Sequence, residues 1–78
     1  MKLIFPLHFQ TRILERAINL DHVKSAITKP DFTENMFDGR IRVTKNIGEK
    51  CIRVVYYKNQ FGDNKKEYII ITAYYIQT

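Results

Sequence analysis

The side chains of this sequence that could do chemistry are mainly cations and hydroxyl groups, with one histidine placed among them. Metal-free RNA cleavage needs a base for the 2′-OH proton, an acid for the leaving 5′-oxygen and fixed cations for the charged phosphorane. The residues whose types fit these roles are His8, Arg12, Arg16, Lys45, Arg53, Tyr56, Thr72 and Tyr74. Phosphodiester chemistry is therefore the reaction these residue types suit best.

The spacing of these residues indicates shared faces. His8, Arg12 and Arg16 are four residues apart, so they form a ladder along one side of a helix. Thr72 and Tyr74 are two residues apart in a strand-like run, so their side chains point the same way.

Each of these residues also has a structural interpretation. A histidine at the start of an amphipathic helix, like His8, is often a capping or surface residue. Arg12 and Arg16 beside Glu15 are typical of a solvated face with weak ion pairs. Tyrosines in strands usually pack across the sheet rather than stack on bases.

The sequence lacks motifs for several other chemistries. The two histidines, His8 and His22, are too far apart in sequence to form a metal-ligand motif, and the three glycines are scattered among turns. The single cysteine, Cys51, excludes an internal disulfide and a cysteine-based zinc cage. We therefore expect no metal and no cofactor.

The length and net charge of the chain limit the number of domains and the classes of partner. The chain has 78 residues, which we interpret as one domain spanning residues 1–78. Thirteen Lys and Arg against eight Asp and Glu give a net charge of +5, which favours an anionic partner.

The longest apolar stretch, residues 69–76, is far shorter than the roughly 20 residues that span a bilayer. The N-terminal apolar run is too short for a signal peptide, so we expect no membrane partner and a cytoplasmic location.

The hydrophobic pattern changes from helical to strand-like along the chain. Helices are predicted over residues 9–18 and from the N-cap Asn19 to the stop at Pro30. Strands are predicted over residues 32–37, 40–47, 51–57 and 68–76, with a polar turn over 58–66 whose tip is 61–64, and with residues 2–5 as a further edge strand. This order predicts an α+β fold in which two N-terminal helices pack on a three- to four-stranded antiparallel sheet.

The order and spacing of several short motifs resemble DUF4258, a family of small bacterial domains. The matching residues, between positions 8 and 75, are His8-x3-Arg12-x2-Glu15-Arg16-Ala17-Ile18, Asp21-x-Val23-x3-Ile27-x2-Pro30, Asp38-Gly39-Arg40, Lys45, Val54-Val55-Tyr56 and Ile71-Thr72-Ala73-Tyr74. One departure is Ala17, where the family often has a glycine suited to a left-handed helix stop. Alanine adopts that conformation at a cost of about 1 kcal/mol.

DUF4258 is similar to RelE-, ParE- and BrnT-type toxins, so the resemblance implies a RelE- or barnase-like two-layer fold. It also implies a toxin of a toxin–antitoxin pair that cleaves RNA without metal, with an acidic antitoxin as partner and the ribosome as a further candidate. In this hypothesis His8 is the acid or base, and Tyr74 is the second proton-transfer group or a base stacker. Phosphate contacts come from Arg12, Arg16, Arg53 and Thr72, and substrate contacts from Lys45 and Tyr56.

The alternative is a binding module without catalysis. The same basic face would then bind an acidic protein or a nucleic acid, and a ParE-like toxin with a target other than RNA belongs to this class. Steep salt dependence with intact RNA would distinguish it from a nuclease.

Overall fold

The computed structural model describes residues 2–59 and 67–77. Its elements, in chain order, are β1 (Lys2–Ile4), α1 (Leu7–Glu15), α2 (Leu20–Thr28), β2 (Phe32–Asn35), β3 (Ile41–Asn46), β4 (Lys50–Asn59) and β5 (Glu67–Gln77). The predicted turn tip at 61–64 lies outside the described residues. Among the helices that are described, none is both long and apolar enough to cross a membrane.

The prediction of a three- to four-stranded antiparallel sheet was wrong. The sheet has five strands in the order β1-β5-β4-β3-β2, and β1 runs parallel to β5. The chain between β1 and β5 runs through both helices and β2–β4, and the helices carry it from the β1 edge to the β2 edge of the sheet. Because β1 has only three residues, its pattern could not show which strand it would join or in which direction. The α+β class and the edge strand near residues 2–5 are confirmed.

The α1–α2 turn is set by a left-handed residue. Ala17 has φ of 50°. The Ala17 amide donates to the Leu14 carbonyl at 3.2 Å, and the Ile18 amide donates to the Ile13 carbonyl at 3.0 Å. These two bonds form a Schellman motif, with alanine where glycine is usual. The helix predicted over residues 9–18 therefore ends earlier, at Glu15.

The second helix begins and ends where the sequence predicted. The Asn19 side chain accepts a hydrogen bond from the Asp21 amide at 2.9 Å, which caps the N-terminus. The helix stops at Thr28, two residues before Pro30, because a proline disfavours helical geometry in the residue that precedes it.

A β-bulge sets which way the C-terminal strand presents its side chains. Val55 stands opposite Thr72, but Tyr56 stands opposite Ile70, so Ile71 is an extra residue in β5. Beyond the bulge, Ala73 and Tyr75 lie opposite the core residues Val54 and Ile52. Thr72 and Tyr74 alternate with them and therefore belong to the opposite face.

The core lies between the helices and one face of the sheet. Its fully buried side chains are Phe9 of α1, Val23 and Ala26 of α2, and Val43, Ile52, Val54, Ile70 and Ala73 of the sheet. Tyr56 is also buried and packs edge to face on Tyr68, with ring centroids 5.4 Å apart. Both helices are short, so this burial stabilises them.

Replacing Ala17 with glycine should stabilise the protein. Glycine relieves the strain of the left-handed backbone but loses more entropy on folding, so we expect the free energy of unfolding to rise by about 0.5–1 kcal/mol. Urea unfolding measures this, with Thr11→Gly inside α1 as a control that should lower stability by about 0.3 kcal/mol. An unchanged or lower stability of Ala17→Gly would contradict the strain.

Burial of Tyr56 predicts a loss of stability at alkaline pH. Burial raises the pKa of Tyr56 above its ordinary value of 10.0. The unfolded chain therefore ionises this phenol first, and stability falls as the pH rises above that value. Unfolding curves from about pH 9 to about pH 11 should show a shallower decline for Tyr56→Phe than for the wild type. Tyr57→Phe is the more exposed control, and an equal decline in all three proteins would contradict the prediction.

Candidate functional site

A group of polar contacts lies where the α1–α2 turn crosses β5. We call it the junction cluster, and its members are Arg16, Asn19, His22, Lys50, Thr72 and Tyr75. Two of them, Arg16 and Thr72, were predicted as site residues from the sequence. The turn at Ala17 brings the cluster together because it sends the chain from Arg16 to Asn19 over the same strand.

Arg16 is held against the last strand. Its Nη1 donates to the Thr72 hydroxyl at 3.3 Å and to the Ala73 carbonyl at 3.0 Å. Because β1 pairs only with residues 67–69, this part of β5 has no described strand on that side. The guanidinium has five N–H donors, so an exposed arginine fixed through Nη1 keeps donors suited to a phosphate.

His22 and Tyr75 form a hydrogen-bonded pair. The His22 Nδ1 lies 2.9 Å from the Tyr75 hydroxyl, and the two rings meet nearly perpendicular. The Asn19 amide donates to the same hydroxyl at 3.0 Å. Since the Asn19 amide can only donate, the Tyr75 hydroxyl keeps its proton for Nδ1 in the tautomer that carries the ring proton on Nε2. The Asn19 amide, the Tyr75 hydroxyl and His22 Nδ1 therefore form one chain of hydrogen bonds.

One lysine contacts this pair, and a second lies on the same face of the sheet. The Lys50 Nζ lies 4.0 Å from the centre of the Tyr75 ring, which is a cation–π contact. Lys45 stands in the same cross-strand row as Ile52 and Tyr75, two strands or about 10 Å from the tyrosine. Asp21 directly precedes His22 in the sequence, and Glu49 directly precedes Lys50. These two carboxylates offset part of the positive charge in this region.

The β2–β3 hairpin is electrostatically different. Arg42 donates to Glu34 at 2.6 Å, and Arg40 donates to Asp38 at 2.8 Å. These hydrogen bonds lower the pKa of both carboxyl groups, so they stay ionised and neutralise their arginines. By contrast, the described contacts of Arg16 and Lys50 are with a hydroxyl, a carbonyl and an aromatic ring.

The structure separates His8 and Arg12 from the cluster. His8 is exposed in the first turn of α1, eight residues before Arg16, which places it about 12 Å away along the helix axis. Arg12 is exposed one turn before Arg16. The predicted ladder exists along α1, but it does not place the imidazole beside Arg16.

Arg53 and Tyr74 lie on the other face of the sheet. They stand opposite each other on β4 and β5, and the Arg53 Nε donates to the Thr44 hydroxyl at 3.3 Å. Tyr56 lies in the core, where its ring is not available to a ligand. Lys45 lies on the helix-covered face of the sheet, near the junction cluster. Thr72 belongs to the outer face, and its hydroxyl accepts a hydrogen bond from Arg16.

Sequence reasoning missed His22, Tyr75, Lys50 and Asn19 as site residues. Asn19 was recognised only as a helix cap, and His22 was considered only as a metal ligand. The available signal was the alternation in β5, which puts Tyr75 on the side opposite to Tyr74 and therefore toward the helices. Which α2 residue Tyr75 would meet depends on the bulge and the turn, which no periodicity reveals.

No family model, curated protein or solved structure matches this chain. The resemblance to DUF4258 therefore stays a hypothesis that rests on the motifs quoted above. Within residues 2–59 and 67–77, no group of three or more His, Cys, Asp or Glu side chains is arranged to hold a metal ion.

The pairing of His22 with Tyr75 should be measurable as a coupling energy. Tyr75→Phe removes the acceptor for the Asn19 amide and the partner of His22, so we expect a loss of about 1 kcal/mol. In a double-mutant cycle with His22→Ala, the coupling should be about 0.5–1 kcal/mol by urea unfolding. Tyr57→Phe serves as the control, and strictly additive effects would show that the pair is not energetically linked.

Proposed function

We propose that this chain is a toxin-like, metal-independent endoribonuclease that binds RNA at the junction cluster. The observation that carries the proposal is that two cations, Arg16 and Lys50, flank a hydrogen-bonded His22–Tyr75 pair. Metal-free phosphodiester transfer needs this combination of fixed positive charge and a proton-transfer group.

Each part of the cluster has a role in this reaction. Arg16 binds a phosphate oxygen pair through its free donors while β5 fixes its position. Lys50 adds a second positive charge, and Lys45 extends the basic surface toward the next nucleotide. Charge that develops on the phosphorane is thereby stabilised by groups already in place, without reorganisation at the moment of reaction.

The charge of the chain and its motifs agree with this role. A net charge of +5 on a small body attracts polyanions and makes binding salt-dependent. The motif resemblance to DUF4258 adds an acidic antitoxin that would cover the basic end, a cytoplasmic location, and the ribosome as a site where the RNA is met.

The second candidate is a basic binding module without catalysis. The observation that favours it is the position of His8, the histidine that the motif resemblance points to, which lies about two turns of helix from Arg16. A basic surface that lacks His8 as a base would bind an RNA or an acidic protein and leave it intact.

Arg16 provides the test. Purified protein is incubated with a defined single-stranded RNA in chelator, and in a translating extract with a defined message, and new RNA ends are mapped by primer extension. Arg16→Ala should lower the cleavage rate about 100-fold, because it removes a preorganised donor to the phosphorane. Lys24→Ala, which removes an exposed positive charge elsewhere on α2, is the matched control. Thermal melting of both variants checks that the fold persists.

The outcomes separate the candidates. Cleavage that depends on Arg16 and not on Lys24 supports the nuclease. Intact RNA with salt-dependent binding supports the binding module, and blocked translation with intact message supports a toxin with another target. Equal loss in both variants would mean that only bulk charge matters.

A further inference from the structure

We infer that Tyr75 and His22 form the proton relay of this nuclease, in place of the histidine and tyrosine expected from the sequence. In this relay Tyr75 takes the proton of the RNA 2′-OH and passes its own proton to His22, which protonates the leaving 5′-oxygen. The inference rests on the proposed function and adds which side chains transfer the protons.

The contacts of the Tyr75 hydroxyl suit it to accept the 2′-OH proton, which is the first transfer of the relay. Its oxygen already accepts from the Asn19 amide at 3.0 Å and lies 2.9 Å from the His22 Nδ1. A phenol oxygen that accepts one hydrogen bond and donates one still has room to accept the 2′-OH proton. The Asn19 backbone amide occupies one acceptor position of this oxygen, which favours an O–H direction toward His22.

The relay also lies close to the phosphate-binding group. Arg16 is bonded to the Ala73 carbonyl, and Tyr75 follows two residues later on the same strand, about 7 Å along it. A phosphate bound to Arg16 therefore has its neighbouring ribose within reach of the phenol. The side chains of Ala73 and Tyr75 lie on the same face of β5, and Arg16 donates a hydrogen bond to the backbone carbonyl of Ala73.

The step balances in atoms and charge. The 2′-oxygen forms a bond to phosphorus and the bond from phosphorus to the 5′-oxygen breaks, which yields a 2′,3′-cyclic phosphate and a free 5′-OH. The 2′-OH proton moves to the Tyr75 oxygen, the Tyr75 proton moves to His22 Nδ1, and the proton of His22 Nε2 moves to the 5′-oxygen. Tyr75 ends neutral, and His22 ends as the other neutral tautomer, which water exchange resets.

Lys50 supports the transfer electrostatically. Its ammonium group lies 4.0 Å from the Tyr75 ring centre, so it stabilises the negative charge that develops on the phenol as its proton leaves. Lys50 acts through Tyr75 and is a positioning residue in this scheme.

The test compares conservative variants on the same RNA in chelator. Tyr75→Phe and His22→Gln should each lower the cleavage rate 100-fold or more, within the range of about 10²–10⁴ for general acid–base groups. RNA binding should change by no more than about threefold, since neither variant removes a cation that binds the phosphate. Tyr57→Phe is the matched control and should cleave like the wild type.

A substrate with a sulfur in place of the leaving 5′-oxygen gives a second readout. A thiolate leaves without protonation, so it no longer needs the acid. The defect of His22→Gln should therefore shrink about tenfold on this substrate without vanishing, because His22 still accepts the Tyr75 proton, while the defect of Arg16→Ala stays. A merely structural role for His22 would give the same defect on both substrates and would overturn the assignment.

Failure of the relay differs from failure of the proposed function. If the wild type cleaves RNA and both Tyr75→Phe and His22→Gln cleave normally, the relay is wrong and the nuclease stands. Loss of cleavage in His8→Ala with normal cleavage in His22→Gln would return the acid–base role to α1. If the wild type does not cleave RNA at all, both proposals fail.

Discussion

The left-handed backbone at Ala17 is the constraint on which the arrangement of this protein depends. It ends α1 so that Arg16 meets β5, and it starts the segment in which Asn19 caps α2 and donates to Tyr75. Two helices joined by a straight or longer connection would not place these side chains over the same strand. A strained residue at the centre of a polar cluster is consistent with backbone strain collecting where function needs a fixed geometry.

Local signals in the sequence predict the elements but not their assembly. The apolar periods of α2, β3 and β4, the Asn19 cap and the stop before Pro30 are properties of neighbouring residues, and all appear in the structure. The parallel pairing of β1 with β5 joins residues at opposite ends of the chain. Hydrophobic alternation in a three-residue strand carries no information about such a partner, and this is why the parallel pairing in a five-stranded sheet was not predicted.

The candidate site shows the same limit at the level of side chains. Spacing predicts one face for His8, Arg12 and Arg16 and another for Thr72 and Tyr74 on β5, yet residues on one face need not share a site. The bulge at Ile71 and the turn at Ala17 decide that Arg16 meets Thr72 and that Tyr75 meets His22. Both are single-residue irregularities, and a periodic pattern averages over them.

The contact between Arg16 and the Ala73 carbonyl has a consequence for how the molecule behaves in solution. That carbonyl belongs to a stretch of β5 that β1 leaves uncovered, and an uncovered strand is a template for pairing with another chain. A long charged side chain laid across it disfavours the addition of a strand from a neighbouring copy there. Displacement of Arg16 from β5, by substitution or by an anion, would therefore expose this edge for strand pairing.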